Sequence, residues 1–447
     1  HNVGVEQCAP QDDRFALLFT LSVCCYGIPS FLVGYLLHHA GLWATRISAG
    51  AMLCVGFIFL GATTKEEPHW LFGAVILLSL GGNQIRMSGL QLADLFPEHK
   101  ATAITLLSGM YSSSAALFLV FQLGERYRIE RATICWFLAG LSTFVIWFTF
   151  VMPIHHIPYD DNYDKKYRVD ESEQLNSDAV DHWISHSDGP TNKSDTKNKL
   201  EIDDGLKLKK YKDLTLTRAT FSLSSVLLQL WLFACLLGLN VYQMTYNYWI
   251  TIVSCNLKEA ETFSLAYSYV SMVSVFVAPA MGFIVDCLVA KARKNARSFR
   301  ERRTKEIQSN IIPLLLTTIT NFLMYLCLLF FHPVGVYLSL GFMAITRPCI
   351  ISVATAYIRI RFPQELFNRL VGFHFTVTSV LLLLQYPQFQ WSMSMYLPAH
   401  ATVLVLISIS ILNPLHLLVR PFFIKTIGSP RQAYGIANDE DDRSVKR

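Results

Sequence analysis

Two arginines and several amides interrupt stretches that are otherwise hydrocarbon. Arg347 lies ten or more residues from either end of an apolar run over 334–357, too deep for its head group to reach water along its own stem. Its planar fork of donors suits a carboxylate, or the carbonyl and ring nitrogens of a heterocyclic base. The competing role is structural: satisfying helix carbonyls or an ion pair. Arg86 falls in Gly81-Gly-Asn83-Gln84-Ile-Arg86-Met-Ser88, with Gln91 a turn further on. Helical spacing puts Arg86 on one face with Asn83, and Gln84, Ser88 and Gln91 on another. One face is expected to meet a cavity and the other to pack against helices.

Gln229, Asn240 and Gln243 occupy another apolar run, with Asn240 and Gln243 three residues apart and so on one face. An amide pairs donor and acceptor with the edge of a planar heterocycle, and Trp231 or Tyr242 would supply a ring to stack on it. Interhelical hydrogen bonding is the alternative. Tyr111, Ser113 and Ser114 form a polar knot in a further run, where small hydroxyl residues also permit close packing. Gln385 precedes Tyr386-Pro387, and Pro387 is expected to end or kink its helix. Polar groups at such depth are costly in lipid and tend to face a cavity or a partner. The chemistry they offer is reversible recognition of a small polar solute.

Bond-making chemistry has no comparable support. The sequence has no Gly-x-x-x-x-Gly-Lys, no His-Glu-x-x-His and no Cys-x-x-Cys. No cofactor or metal is expected, and the chain does not read as an enzyme. Most of the ten cysteines fall inside apolar runs, where a thiol packs as a small hydrophobe. Cys8 and Cys255 fall on one expected outer face, either paired or free. No Glu lies inside an apolar run, and Asp94 and Asp286 sit at run ends. Carriers that use protons bury a titratable carboxylate, so the pattern favours passive, equilibrative flux.

The elements that position these residues follow from hydropathy. Of the 447 residues, 52% are hydrophobic and 16% charged, against about 25% charged in soluble domains. About 20 apolar residues cross a bilayer as a helix. Eleven runs reach that length, near 15–38, 46–63, 70–93, 101–123, 132–153, 221–246, 263–287, 309–331, 334–357, 368–388 and 398–422. They are too long and too evenly apolar for barrel strands. The expected organisation is a first half over 1–153 and a polar linker over 154–220 that is too poor in apolar residues to fold alone. A second half over 221–424 and a tail over 425–447 follow. A short helix near Leu206–Leu214 is possible within the linker. Basic clusters at Lys291–Arg297, Arg359 with Arg361, and Arg420 with Lys425 place those loops, the linker and the tail in the cytoplasm by the positive-inside bias. The Glu125–Arg131 loop runs against that bias. On the cytoplasmic linker, Asn192-Lys-Ser194 would stay unglycosylated.

Each block of spans carries a glycine-containing motif. Gly34-Tyr-Leu-Leu-His38-His39-Ala-Gly41, then Arg46, follows the first visible span, and Gly282-Phe-Ile-Val-Asp286 follows the second span of the later block. If the halves are repeats, the first is one helix short, before Arg14. These motifs resemble the loop found after the second helix of each half in the major facilitator superfamily. The first copy departs from it with His38 and His39 where Asp and Arg are usual. The resemblance implies an all-α membrane fold of two six-helix halves, here with eleven spans. It also implies a gating or conformational role for Gly34, Gly41, Arg46, Gly282 and Asp286, with Asp286 meeting helix ends on the cytoplasmic side.

Finer motifs narrow the resemblance to solute carrier family 43. They are Gln11-Asp12, Leu95-Phe96 with a charged turn ending at Lys100, and Gly109-Met-Tyr-Ser-Ser-Ser-Ala115. Ala278-Pro279, Phe362-Pro-Gln-Glu365 and Leu383-Leu-Gln385-Tyr-Pro387 complete the set. Met152-Pro-Ile-His-His156-Ile-Pro-Tyr159, Gln229-Leu-Trp231, Leu239-Asn240 and Thr346-Arg347 resemble the purine-nucleobase branch of that family more than its large-neutral-amino-acid branch. Arg86 does not match the family pattern. The resemblance implies facilitative transport of purine nucleobases across the plasma membrane by alternating access. Its expected partners are a small-molecule substrate and the lipid bilayer, with no nucleic acid and a monomeric state. Sodium-independent transport of large neutral amino acids is the first alternative, and a nutrient-binding membrane sensor signalling through the linker is the second.

Overall fold

The computed structural model describes residues 9–64, 66–96, 99–113, 116–152, 216–254, 256–294, 299–362 and 366–419. The expected linker up to 215, including Leu206–Leu214 and Asn192, lies outside the described residues, as do the tail, Cys8, Cys255 and Ser114. Among the described residues the regular structure is helical throughout. Helices satisfy every backbone donor and acceptor within the segment, which lipid demands.

The first half comprises α1 (Ala9–Gly27), α2 (Ser30–His39), α3 (Gly41–Ala62), α4 (His69–Gly89), α5 (Lys100–Ser113), α6 (Ala116–Arg126) and α7 (Arg131–Thr149). The second comprises α8 (Leu216–Thr220), α9 (Leu223–Val253), α10 (Leu257–Lys294), α11 (Phe299–Gln308), α12 (Ile311–Cys327), α13 (Pro333–Arg361), α14 (Phe367–Leu381), α15 (Gln385–Ser394), α16 (Tyr396–Ser410) and α17 (Leu412–Val419). Nine helical segments among the described residues have the length and apolarity to cross a bilayer. The two expected spans outside that set have visible reasons. Asn83, Gln84, Arg86 and Ser88 dilute the hydropathy of α4, and the span over 101–123 divides into α5 and α6 around residues outside the description.

Two sequence expectations are corrected here. The motif around Gly34 is not a loop: α2 runs through it, and the turn falls at Gly41, whose φ of 81° favours a residue without a Cβ. Gly282 and Asp286 likewise lie within α10, which continues to Lys294 because nothing in the motif breaks the helix. The expected interruption at Pro387 is present: α14 stops at Leu381 and gives way to a 3₁₀ turn at Leu382–Leu384, around the carbonyl four residues before the proline, and α15 resumes at Gln385.

The halves meet along two seams: α5 packs on α10 and α13, and α1 and α2 pack on α14. The main apolar core lies in the second half, around the fully buried Trp231, Tyr242, Trp249, Tyr325 and Tyr357. The outer face of α7 instead exposes Trp136, Phe137 and Trp147, the expected surface toward lipid. Lys291, Lys294, Arg359 and Arg361 gather at one end of the bundle, the basic end.

Candidate functional site

Arg347 sits on α13 immediately before Pro348, which cannot donate to the helix ladder. Its Nη1 donates to the Tyr267 hydroxyl at 3.2 Å and to Ser271 Oγ at 3.4 Å, both on α10. The same tyrosine hydroxyl accepts from Gln243 Nε2 at 3.1 Å, so three helices converge on one oxygen. Neither of these partners of Arg347 is acidic. Asn240 turns to a different neighbour: its Nδ2 donates to Gln385 Oε1 at 2.8 Å. Gln385 is fully buried and its Nε2 has no hydrogen-bond partner. Asn240 and Gln243 share a side of α9 but serve separate contacts.

Gln229 belongs to a buried chain that joins α9 to α14. Its Nε2 donates to Thr378 Oγ1 at 2.7 Å, and its Oε1 faces His374 Nδ1 at 2.8 Å. The other ring nitrogen faces Ser225 Oγ at 3.0 Å. The amide oxygen can only accept, so the proton sits on Nδ1 and Ser225 donates to Nε2. Ser225 and Gln229 are one turn apart, as are His374 and Thr378. The two pairs therefore meet face to face.

Arg86 is 7% exposed on α4. Its Nη2 donates to Asn83 Oδ1 at 3.2 Å, and Asn83 in turn donates to Ser30 Oγ at 3.1 Å. The guanidinium lies 4.3 Å from the ring centroid of Phe375 on α14 and 5.5 Å from that of Tyr26 on α1. Arg86 thus lies at the seam between the halves. Gln84 takes the other face and accepts from Ser48 Oγ at 3.0 Å, the division that helical spacing implies.

The gating candidates separate. Asp286 caps the start of α5 in the opposite half. Its Oδ2 accepts from the Thr102 N–H at 2.8 Å and the Thr102 hydroxyl at 2.6 Å, while Oδ1 accepts from the Ala101 N–H at 3.2 Å. Those amides are among the four that a helix start leaves unpaired, and the positive end of the helix dipole adds to the attraction. Gly282, one turn earlier, permits the approach: a Cβ there would lie 1.9 Å from Thr105 Oγ1 and 2.7 Å from Thr102 Cα. Gly34 faces α14, where an added Cβ would meet the Asn368 carbonyl oxygen at 3.3 Å. Arg46, on α3 past Gly41, is half-buried, and its Nε has no hydrogen-bond partner. At the end opposite the basic one, Asp13 accepts from the Tyr386 hydroxyl at 2.9 Å and also from Gln390 Nε2.

Tyr111 and Ser113 lie on the last turn of α5, apart from the clusters above in the chain order. The suggested stacking rings do not face the seam. Trp231 is fully buried with its N–H donated to Thr318 Oγ1 at 2.8 Å, and the equally buried Tyr242 hydroxyl pairs with Ser339 Oγ at 2.8 Å. Each is held in the second half by its polar tip, as buried Trp and Tyr usually are. Sequence reasoning missed Tyr267, Ser271, His374, Thr378, Asp13 and Phe375. A turn-spaced signal existed for Tyr267 with Ser271 and for His374 with Thr378.

Known proteins give this geometry its context. A family model described as Major Facilitator Superfamily matches residues 10–386. Equilibrative nucleobase transporter 1 of Bos taurus is 24% identical over 402 residues, covering 86% of this chain and 79% of that protein. A crystal structure of peptide transporter POT in complex with sulfate superposes with a TM-score of 0.54 at 13% identity, covering 91% of this chain and 85% of that one. The proton:xylose symporter XylE gives 0.53 at 12% identity, with 90% and 85% covered. At such identities the solved structures speak to the fold alone. The family match, the apolar helices and the polar seam between two halves agree: the chain belongs to the major facilitator superfamily and is a multi-pass membrane transporter, not an enzyme.

Proposed function

We propose that this carrier moves purine nucleobases such as adenine, guanine or hypoxanthine down their gradient, as a relative of solute carrier family 43. The observation that carries the reading is the similarity to a nucleobase transporter along most of its length, coinciding with amide and guanidinium groups at the meeting of helices. Arg347, Asn240, Gln243, Gln229, Gln385 and Arg86 are the proposed substrate contacts, with Tyr111, Ser113 and Ser114 contributing hydroxyls from the first half. The amide and guanidinium groups among them offer donors and acceptors suited to a base edge, and two-half carriers bind their cargo near the midplane between the halves. The acidic residues of the described spans lie toward helix ends, which favours equilibrative flux over proton coupling.

In the proposed cycle the halves rock about this site. The Asp286 contact on α5, made close by Gly282, holds the basic end shut and parts when that end opens. Gly34, Gly41 and Arg46 serve the matching movement of the first half. The proposed setting is the plasma membrane, with a monomer of two halves (1–153 and 221–424) whose basic loops, linker and tail face the cytoplasm.

Uptake of radiolabelled adenine and leucine by the full-length protein, in cells without their own carriers and with or without a proton gradient, tests the reading. Saturable adenine uptake, indifferent to leucine and to the gradient, is expected. Leucine uptake would transfer the chain to large neutral amino acids, and binding without flux would favour a sensor.

A further inference from the structure

Arg86 is a buried cation without an anion. Of its three nitrogens only Nη2 is engaged, by the neutral oxygen of Asn83 and the sulfur of Met87, while Nε and Nη1 have no hydrogen-bond partner. Both faces of its surroundings are neutral as well, with Phe375 at 4.3 Å and Tyr26 at 5.5 Å. No carboxylate among the described residues pairs with it. A charge taken out of water in this way is costly unless something of opposite sign arrives.

The second half repeats the arrangement. Arg347 donates to two neutral hydroxyls, Tyr267 and Ser271, and to no carboxylate. The positions correspond: each arginine lies on the second span after its half's glycine motif, on α4 after Gly34 and on α13 after Gly282. Arg86 is the eighteenth residue of α4 and Arg347 the fifteenth of α13, three positions apart when counted from each helix start. Away from the helix ends, each half thus offers one guanidinium group, Arg86 or Arg347, with no carboxylate among the described residues hydrogen-bonded to it. Neutral purines leave that imbalance as it is.

We infer that the carrier prefers acidic oxopurines, such as urate and xanthine, whose ring nitrogens lose a proton, and that Arg86 is the residue that sets this preference. The inference rests on the nucleobase reading above. An oxopurine anion presents carbonyl oxygens and a deprotonated ring nitrogen, acceptors throughout. Guanidinium donors take such an edge with charge-assisted hydrogen bonds. Adenine presents an exocyclic amine on its corresponding edge, and a guanidinium cannot accept from it. Phe375 belongs to the opposite half, so the ring that covers Arg86 moves relative to it when the halves rock. Ligand access and the cycle are thereby linked at one residue.

The test is competition and flux with the full-length protein in liposomes, using radiolabelled urate, xanthine and adenine, for the native chain and for Arg86→Gln and Arg86→Lys. The expected result is a native preference for urate over adenine that falls at least about tenfold in Arg86→Gln, the loss expected of one hydrogen bond to a charged group. Arg86→Lys, which keeps the charge, should retain the order of preference. Where a variant loses flux, ligand-induced thermal stabilisation in detergent reads the same preference. Adenine flux with urate and xanthine excluded would overturn the inference and leave the nucleobase reading standing. So would an unchanged preference in Arg86→Gln. Absence of flux or binding for every purine would overturn the reading beneath it, and stabilisation by leucine or by inorganic phosphate instead would identify the anion as a carboxylate or a phosphate.

Discussion

At the basic end of the molecule Asp286 of α10 sits on the first turn of α5, and at the opposite end Asp13 of α1 meets Tyr386 and Gln390 of α15. Both contacts join one half to the other through a single carboxylate. They differ in what the carboxylate is offered. Asp286 is bound by two main-chain amides and the hydroxyl beside them, all fixed by a helix end, and Gly282 brings the backbones so close that a Cβ would collide. Asp13 is bound by the tips of two long side chains, which can swing after it. A rigid donor set lets go over a small displacement, because hydrogen bonds weaken steeply with distance and angle. A flexible one yields gradually. The basic end is therefore built as a switch and the other end as a tether.

The sharpest way to break this comparison is Gly282→Leu. The added side chain has nowhere to go between α10 and α5, so overpacking of roughly 1–3 kcal/mol or more is expected. The basic end should stay parted, with uptake nearly abolished. Cysteine-accessibility labelling beside α5 reads the parting directly, and normal labelling with normal uptake would sink the switch. Next in size is Asp286→Ala, which strips an acceptor from three donors. A loss of roughly 1.5–3 kcal/mol in closure is expected, again read by labelling and by the rate of uptake.

His374→Ala tests packing within the second half instead. It orphans Gln229 Oε1 and the Ser225 hydroxyl together, and a destabilisation of about 1–3 kcal/mol should lower the melting temperature in detergent. Tyr386→Phe should have the smallest effect, about 1 kcal/mol or less, since Gln390 still reaches Asp13. If it slows uptake as much as Asp286→Ala, the two ends are equivalent and the distinction fails.

Much of this was legible in the residues. The runs around α3, α7, α9, α10 and α13 announce themselves by length and apolarity; α3, α9, α10 and α13 each extend past an expected end, while α7 stops at Thr149, short of it. Asp286 stood out by its spacing from Gly282, and Arg347 by its depth. The division of α4 into an Asn83–Arg86 face and a Gln84 face followed from the period alone. What could not be read was adjacency. Tyr267 and Ser271 matter because α10 lies beside α13, and His374 because α14 lies beside α9. Neither pairing leaves a mark in a single sequence. Trp231 and Tyr242 misled for the same reason: the face of α9 that carries them meets Thr318 and Ser339, not the seam. Gly34 misled differently, since a glycine marks a turn and a close helix crossing with the same letter.

The helix-end contact has an implication for how this chain can change over generations. Two of the three donors to Asp286 are amides of Ala101 and Thr102 that almost any residue would supply. Substitutions at Ala101 can drift without loosening the contact, and at Thr102 they cost only the hydroxyl bond unless a change such as Thr102→Pro also deletes the amide. Selection has to preserve one side chain and one glycine on α10, not a co-varying pair, so divergent relatives can keep the latch while sharing little sequence on the α5 side.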